Sequence, residues 1–197
     1  MEASEWHGPG SVAVRLFDHS DLGEPLAISQ LLGRTRALAI GLTGLVAYRD
    51  GFLFHIALQF AADQSLKKTV DETPHHPYGA HHLAATAKSR AELDDPQFRH
   101  RLQRKFHVHV GFANGYRSTT LDPLVHDPWQ ATTSRPLVVP LTGFGGTRRW
   151  EILLAVFPLP PPGVLALGCK WEELDVAFEA KLDAGQITEA ARRSKPM

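Results

Sequence analysis

Histidine is the residue type through which this chain could most readily do chemistry, because imidazole nitrogen is a ligand for zinc, copper, nickel and iron. Six of the 11 histidines fall into two groups. They are His75, His76, His81, His82, His107 and His109. The first four lie in PHHPYGAHH (74–82) and the last two in FHVHV (106–110). The first group indicates either a loop that binds a metal ion or an ordinary polar loop.

The second pair stands in an apolar stretch that predicts a strand. Residues two apart on a strand share a face, so we expect His107 and His109 on one side and Val108 and Val110 on the other. An H-x-H strand resembles the metal-binding strand of cupins, which implies two ligands on a barrel wall. The cupin pattern continues with a glutamate a few residues later, whereas this chain continues VGFANGYR. A metal-dependent enzyme, with zinc or another transition metal, and a histidine-bearing solvent face both remain open.

A second candidate site, for a small anion, is the stretch LTGFGGTRRW (141–150). Its members are Gly143, Gly145, Gly146, Arg148 and Arg149. Glycines let backbone amides approach a phosphate or carboxylate, and arginine can bind it bidentately. A phosphate loop normally opens a helix, whereas this stretch leads into a strand, so Walker and Rossmann nucleotide motifs are excluded. An anion-binding loop and a plain inter-strand loop remain as alternatives.

Other catalytic groups form no coherent set. The single cysteine, Cys169, lies in the apolar stretch LALGCKW, which predicts a buried, unreactive thiol. No G-x-S-x-G motif occurs. Lysine plus arginine equals aspartate plus glutamate at 21 each, so no overall field attracts nucleic acid or an anionic membrane. We therefore expect no bound cofactor, no membrane contact and no nucleic-acid partner.

Most of the chain reads as short strands separated by turn residues. This pattern predicts one domain over residues 1–197: a mainly β, antiparallel sandwich or partly open barrel. Residues 63–105 form a long polar insertion without strand pattern. Asp183 is the expected N-cap of a terminal helix over 183–193.

Three strand pairs are predicted in more detail. A hairpin over 37–60 with a three-residue loop, Arg49-Asp50-Gly51, would pair Tyr48 with Phe52, Val46 with Phe54 and Leu42 with Leu58. A second hairpin over 106–121 turns at Asn114-Gly115. A third pair joins the strands over 150–157 and 164–171 through the connector PLPPPG.

The second half of the chain resembles a family of bacterial proteins of unknown function. The resemblance covers about residues 106–193 and is carried by GFANGYRSTTLDP, by TRRWEILLAVFPLPPPGVLALGCKWEELDV and by the ending ITEAARRS. Phe157 stands where the family has tryptophan. The resemblance implies a cytoplasmic, β-rich domain and no particular activity.

The leading hypothesis is a non-catalytic binding or assembly module that contacts a protein partner or a second copy of itself. A single cysteine favours a reducing compartment, and we expect the cytoplasm. Two stretches are the expected recognition loops, residues 63–105 and 141–149.

Overall fold

The computed structural model describes residues 21–61, 97, 106–120, 136–145 and 148–196. The elements with both bounds inside these residues are twelve strands, one 3-10 turn and one α-helix. They are β1 (Asp21–Leu22), β2 (Glu24–Leu26), β3 (Gln30–Arg34), β4 (Leu38–Ala47), β5 (Phe52–Phe60), β6 (His107–Gly111), β7 (Arg117–Thr119), β8 (Leu137–Gly145), β9 (Arg149–Phe157), β10 (Val164–Trp171), a 3-10 turn (Glu172–Leu174), β11 (Val176–Asp183), α1 (Ala184–Arg193) and β12 (Lys195–Pro196). Within this part of the chain, no helix is long and apolar enough to cross a membrane.

The strands form two antiparallel sheets and one small ladder. The large sheet has the order β2-β4-β5-β9-β8, with β3 also paired to β4, and the small sheet has the order β11-β10-β6-β7. The short strands β1 and β12 pair with each other. The two sheets share one core, so the predicted mainly β, sandwich-like fold with a short C-terminal helix is confirmed.

The core is built from alternate residues of each strand, as the period of two requires. Trp171 of β10 is 1% exposed and meets the rings of Phe60 and Phe106 edge-on, at centroid distances of 6.3 and 5.7 Å. Such contacts add to the roughly 1.5–3 kcal/mol gained by burying one large apolar side chain. Aromatic and aliphatic side chains from the two sheets therefore pack together in one core.

The predicted register of the first hairpin is wrong. The structure pairs Ala47 with Phe52 and Leu45 with Phe54, and the pairing shifts between Leu42 and Gly44. Thr43 is the extra residue of a β-bulge, which reverses the faces of the residues after it. Leu45 and Ala47 therefore enter the core in place of Val46 and Tyr48.

The predicted third strand pair is also wrong. β9 pairs with β5 and β8 in the large sheet, whereas β10 pairs with β6 and β11 in the small sheet. Prolines lack the N–H that a ladder needs, so strand β9 ends at the connector PLPPPG. The connector then leads the chain from the large sheet to the small sheet. The crossing places β10 at the centre of the small sheet.

Two local predictions are confirmed. The second hairpin turns at Asn114-Gly115, where Gly115 has a positive φ of 86° and donates to the carbonyl of Phe112 at 3.0 Å. Asp183 caps α1, and its side chain accepts a hydrogen bond from Gly185 N at 2.8 Å. The insertion over 63–105 lies outside the described residues, apart from Gln97.

Candidate functional site on the outer face of the small sheet

Both strand histidines lie on the solvent side of the small sheet. Along β6 the side chains of His107 and His109 are half-buried, while Val108 and Val110 lie in the core, as the alternation predicts. The loop histidines His75, His76, His81 and His82 lie outside the described residues. Among the residues that are described, His, Cys, Asp and Glu nowhere form a group of three that could hold a metal ion. The metal site therefore stays a prediction.

The outward residues of the small sheet form rows across its strands, and we call this surface the histidine face. One row places Glu179, Gly168, His109 and Thr119 side by side on β11, β10, β6 and β7. The next row consists of Lys181, Ala166, Gly111 and Arg117. A third row, on the other side of the first, brings together Ala177, Lys170 and His107. The centre of the face is thus made of glycine and alanine, and charged side chains surround it.

His109 reaches across a whole strand. Its Nε2 lies 3.5 Å from Oε2 of Glu179, although β10 separates the two strands. The imidazole lies over Gly168, where a Cβ would overlap the ring and would also come within 2.8 Å of the Phe178 carbonyl. Only a residue without a side chain at position 168 leaves room for this contact. The carboxylate and the imidazole are 44% and 25% exposed, so solvent screens the pair.

Arg117 uses the second glycine of the face in a similar way. A Cβ at Gly111 would lie 3.4 Å from Cγ and 3.6 Å from Nε of Arg117, so the arginine lies alongside this glycine. The position also borders Ala166, whose Cβ would be 3.5 Å away. The guanidinium is therefore held close to the small-residue centre of the face.

The charges of the histidine face do not balance locally. Arg117, Lys170 and Lys181 are exposed, and none of them forms an ion pair with another residue of the described part of the chain. The one carboxylate in these rows, Glu179, faces His109, and the nearby Asp183 caps α1. The face therefore presents three cations without a described counter-ion.

The predicted Gly/Arg loop is shorter than expected. Residues 141–145 continue β8, and Gly145 pairs with Trp150, so the expected recognition loop over 141–149 is mostly strand. The Arg149 guanidinium binds the Glu151 carboxylate, with both Nε and one terminal nitrogen 2.8 Å from Oε1. Because a carboxylate already occupies this arginine, it is less available to an anion.

The remaining members of that stretch are separated by the strand pairing. Gly143 is paired with Ile152 within the sheet, and Arg148 accepts a backbone hydrogen bond from Phe60 N at 2.8 Å. Gly146 lies outside the described residues. An anion site built on these residues stays a prediction.

Cys169 is buried on the inner side of β10, with no exposed surface. Burial raises the pKa of its thiol to about 12, and a backbone hydrogen bond with Phe178 offsets this only in part. A thiol in this state carries almost no thiolate near neutral pH. Its placement agrees with the buried residue predicted from the strand pattern.

Sequence reasoning missed the cross-strand arrangement of the histidine face. Two glycines inside strands, Gly111 and Gly168, could have indicated this arrangement, because a glycine in a strand often marks a place where another group approaches the backbone closely. It also missed a cleft of about 320 Å³ between α1 on one side and β2 with the segment that follows it on the other. The residues lining it are Pro25, Leu26, Ala27, Ile28, Gln186, Glu189 and Arg193. Arg193 there is engaged by Glu24 and Glu189, at 3.2 and 3.6 Å.

Comparisons of the chain with protein-family models, with curated proteins and with solved structures found no match. The resemblance to a bacterial family over residues 106–193 therefore stays a prediction. Among the described residues, the histidine face brings charged and small side chains into defined contact.

Proposed function

We propose that this protein is a non-catalytic binding module, and that its histidine face contacts an acidic segment of a protein partner. The observation that carries the proposal is the set of three exposed cations without a described ion-pair partner around a small-residue centre. Charged groups on an interaction surface are commonly matched by opposite charges on the partner. A segment rich in aspartate or glutamate supplies that match.

The placement of the cations supports contact with an extended acidic segment. Gly111 and Gly168 are covered by the side chains of Arg117 and His109, so a partner would meet the guanidinium and the imidazole on this part of the face. Arg117 and Lys170 lie on two different strands, β7 and β10, with β6 between them. A partner segment crossing the strands would thus meet a cation on each side of β6.

The electrostatic contribution of each contact is modest. An exposed ion pair contributes roughly 0.2–1 kcal/mol, and physiological salt screens charges beyond about 8 Å. Two or three such contacts change affinity by about one order of magnitude and make binding dependent on salt. The cations therefore select for an acidic partner, and burial of the central face supplies the remaining affinity.

A histidine-bound metal enzyme is the second hypothesis, and the described residues favour it less. His107 and His109 share a face, but a third ligand would have to come from residues outside the described part of the chain, such as the loop histidines. The single cysteine suits a reducing compartment, and we place the protein's action in the cytoplasm as part of the same proposal.

The test uses the full chain and poly-L-glutamate of about 20 residues, labelled for fluorescence anisotropy. The variant Arg117→Ser/Lys170→Ser removes two cations of the face. The control Arg36→Ser/Lys195→Ser removes two exposed cations elsewhere, on the β3–β4 connection and on β12, and neither of these residues forms a described ion pair. We expect the first variant to bind about tenfold more weakly and the control to bind within about twofold of the parent.

Equal losses in both variants would contradict the proposal, because the polyanion would then bind any cation on the surface. Binding of an oligothymidylate as tightly as poly-L-glutamate would also contradict it, since the face would then accept a phosphate chain. Both measurements are repeated at low and physiological salt, where weakening with salt is expected.

A further inference from the structure

Strand β11 forms one edge of the small sheet. All eight of its residues pair with β10, from Val176 opposite Trp171 to Asp183 opposite Val164, and in the described residues β11 has no second ladder. Strand β3 approaches it from the large sheet, where the Phe178 ring lies against Gly33, but β3 pairs with β4. An edge of this kind presents a row of backbone donors and acceptors to another strand.

The outward side chains of β11 include one acidic and one basic residue at equal distances from Ala180. Ala177, Glu179, Lys181 and Asp183 are all exposed. Glu179 and Lys181 lie on either side of Ala180. Antiparallel pairing of two copies about an axis at Ala180 would place Glu179 of each copy opposite Lys181 of the other. Directly opposite charges of unlike sign stabilise such a pair, and like charges destabilise it.

The charge pattern and the length of β11 together favour the register centred on Ala180. An axis at Lys181 would set two lysines opposite each other, and an axis at Glu179 would do the same with two glutamates. A lysine on an edge strand by itself discourages pairing. Axes at Leu182 or Phe178 would also set Lys181 opposite an aspartate, Asp183 or Asp175, but fewer residues of β11 would then pair. The axis at Ala180 combines unlike charges with pairing along residues 177–183 of the strand.

We propose that the chain forms a symmetric dimer by antiparallel pairing of β11 with β11 of a second copy, with the twofold axis at Ala180. The pairing joins two four-stranded sheets into one sheet of eight strands. The contact is isologous, so each charge pair occurs twice. In the dimer Lys181 pairs with Glu179 of the second copy, whereas Arg117 on β7 and Lys170 on β10 lie outside the edge strand and remain available to an acidic segment. The dimer does not depend on the function proposed above.

The test is sedimentation equilibrium of the full chain and of four variants over a range of concentrations. Lys181→Glu and Glu179→Lys each turn the two attractive cross-strand pairs into pairs of like charge. Each is expected to raise the dimer Kd by about tenfold or more. The exchange Glu179→Lys/Lys181→Glu restores opposite charges and is expected to restore the dimer. Lys195→Glu makes the same charge change on β12 and is expected to leave the Kd unchanged.

A mixture of the two single variants gives the sharpest result. One copy then carries two glutamates on the edge and the other carries two lysines, so we expect a one-to-one heterodimer in a mixture of two weakly associating proteins. Circular dichroism of each variant checks that the fold is retained. A monomeric parent chain at all concentrations would overturn the proposal, and so would dimers that are equally stable in all variants or single variants that fail to pair when mixed.

Discussion

Gly168 gives the strongest test of how the histidine face is built. A Cβ there would overlap the His109 ring and lie 2.8 Å from the Phe178 carbonyl oxygen, which is closer than real Cβ contacts. Part of this overlap can be relieved by moving the imidazole, but the carbonyl belongs to the neighbouring strand. We therefore expect Gly168→Ala to lower the free energy of unfolding by about 1–3 kcal/mol, the usual cost of overpacking.

Gly111 provides a matched control on the same face. Its nearest neighbours would lie 3.4–3.6 Å from an added Cβ, which is ordinary or slightly tight contact. Replacing a strand glycine with alanine also restricts the unfolded chain, and this effect stabilises by about 0.4–1 kcal/mol where the backbone permits it. Gly111→Ala is thus expected to be neutral or slightly stabilising.

The assay is urea unfolding followed by the fluorescence of the four tryptophans. For a chain of this size 1 kcal/mol corresponds to about 2–4 °C in Tm, so thermal melts give a second measurement. Adding His109→Ala to Gly168→Ala is expected to recover part of the loss, because the imidazole is then absent. Equal stability of Gly168→Ala and Gly111→Ala would refute the placement of His109 over β10.

Four further predictions concern the core, the thiol and the helix cap. Leu45→Ala is expected to lower the free energy of unfolding by about 2–5 kcal/mol, and Val46→Ala by clearly less, because the bulge at Thr43 leaves Leu45 only 1% exposed. If urea denaturation gave the reverse order, Val46 would lie in the core instead. Cys169, whose pKa burial raises to about 12, is expected to react with a thiol reagent at neutral pH only as fast as the chain unfolds. Above about pH 9 the thiol of Cys169 loses its proton in the unfolded chain but keeps it in the folded chain, so the free energy of unfolding is expected to fall between pH 9 and 12. A Cys169→Ala variant is expected to show a smaller fall. Asp183→Ala is expected to lower stability by about 1 kcal/mol and Asp183→Asn by less, measured by thermal melting, since asparagine can also accept the hydrogen bond from Gly185 N.

Local features of the fold could be predicted from the sequence because they depend on neighbours in the chain. The alternation around Val108 and Val110 gave the inner and outer sides of β6, and Asp183 was recognisable as a cap. The bulge at Thr43 was not predictable, since large apolar residues occur at both 42 and 45 and either parity buries one of them. Only the packing of the opposite sheet decides between the two parities.

Long-range pairing was the part that the sequence did not determine. Successive strands are usually neighbours, so β9 and β10 were expected to pair, whereas the proline-rich connector takes the chain to the other sheet. The same limit applies to the site. Gly168 and Glu179 come beside His109 only through the registers of β10 with β6 and of β10 with β11. No local pattern specifies these registers, so the sequence indicated the two histidines but not the residues that contact them.

The most direct test of the central claim, that the histidine face is the binding surface, is a titration of the isotope-labelled chain with poly-L-glutamate followed by amide NMR spectra. We expect the amides of Gly111, Arg117, Gly168 and Lys170 to shift together and to saturate with one Kd, while those of β4 in the large sheet stay in place. Shifts that are confined to Arg148 and Arg149 would instead assign binding to the end of the β8–β9 hairpin and would contradict the claim.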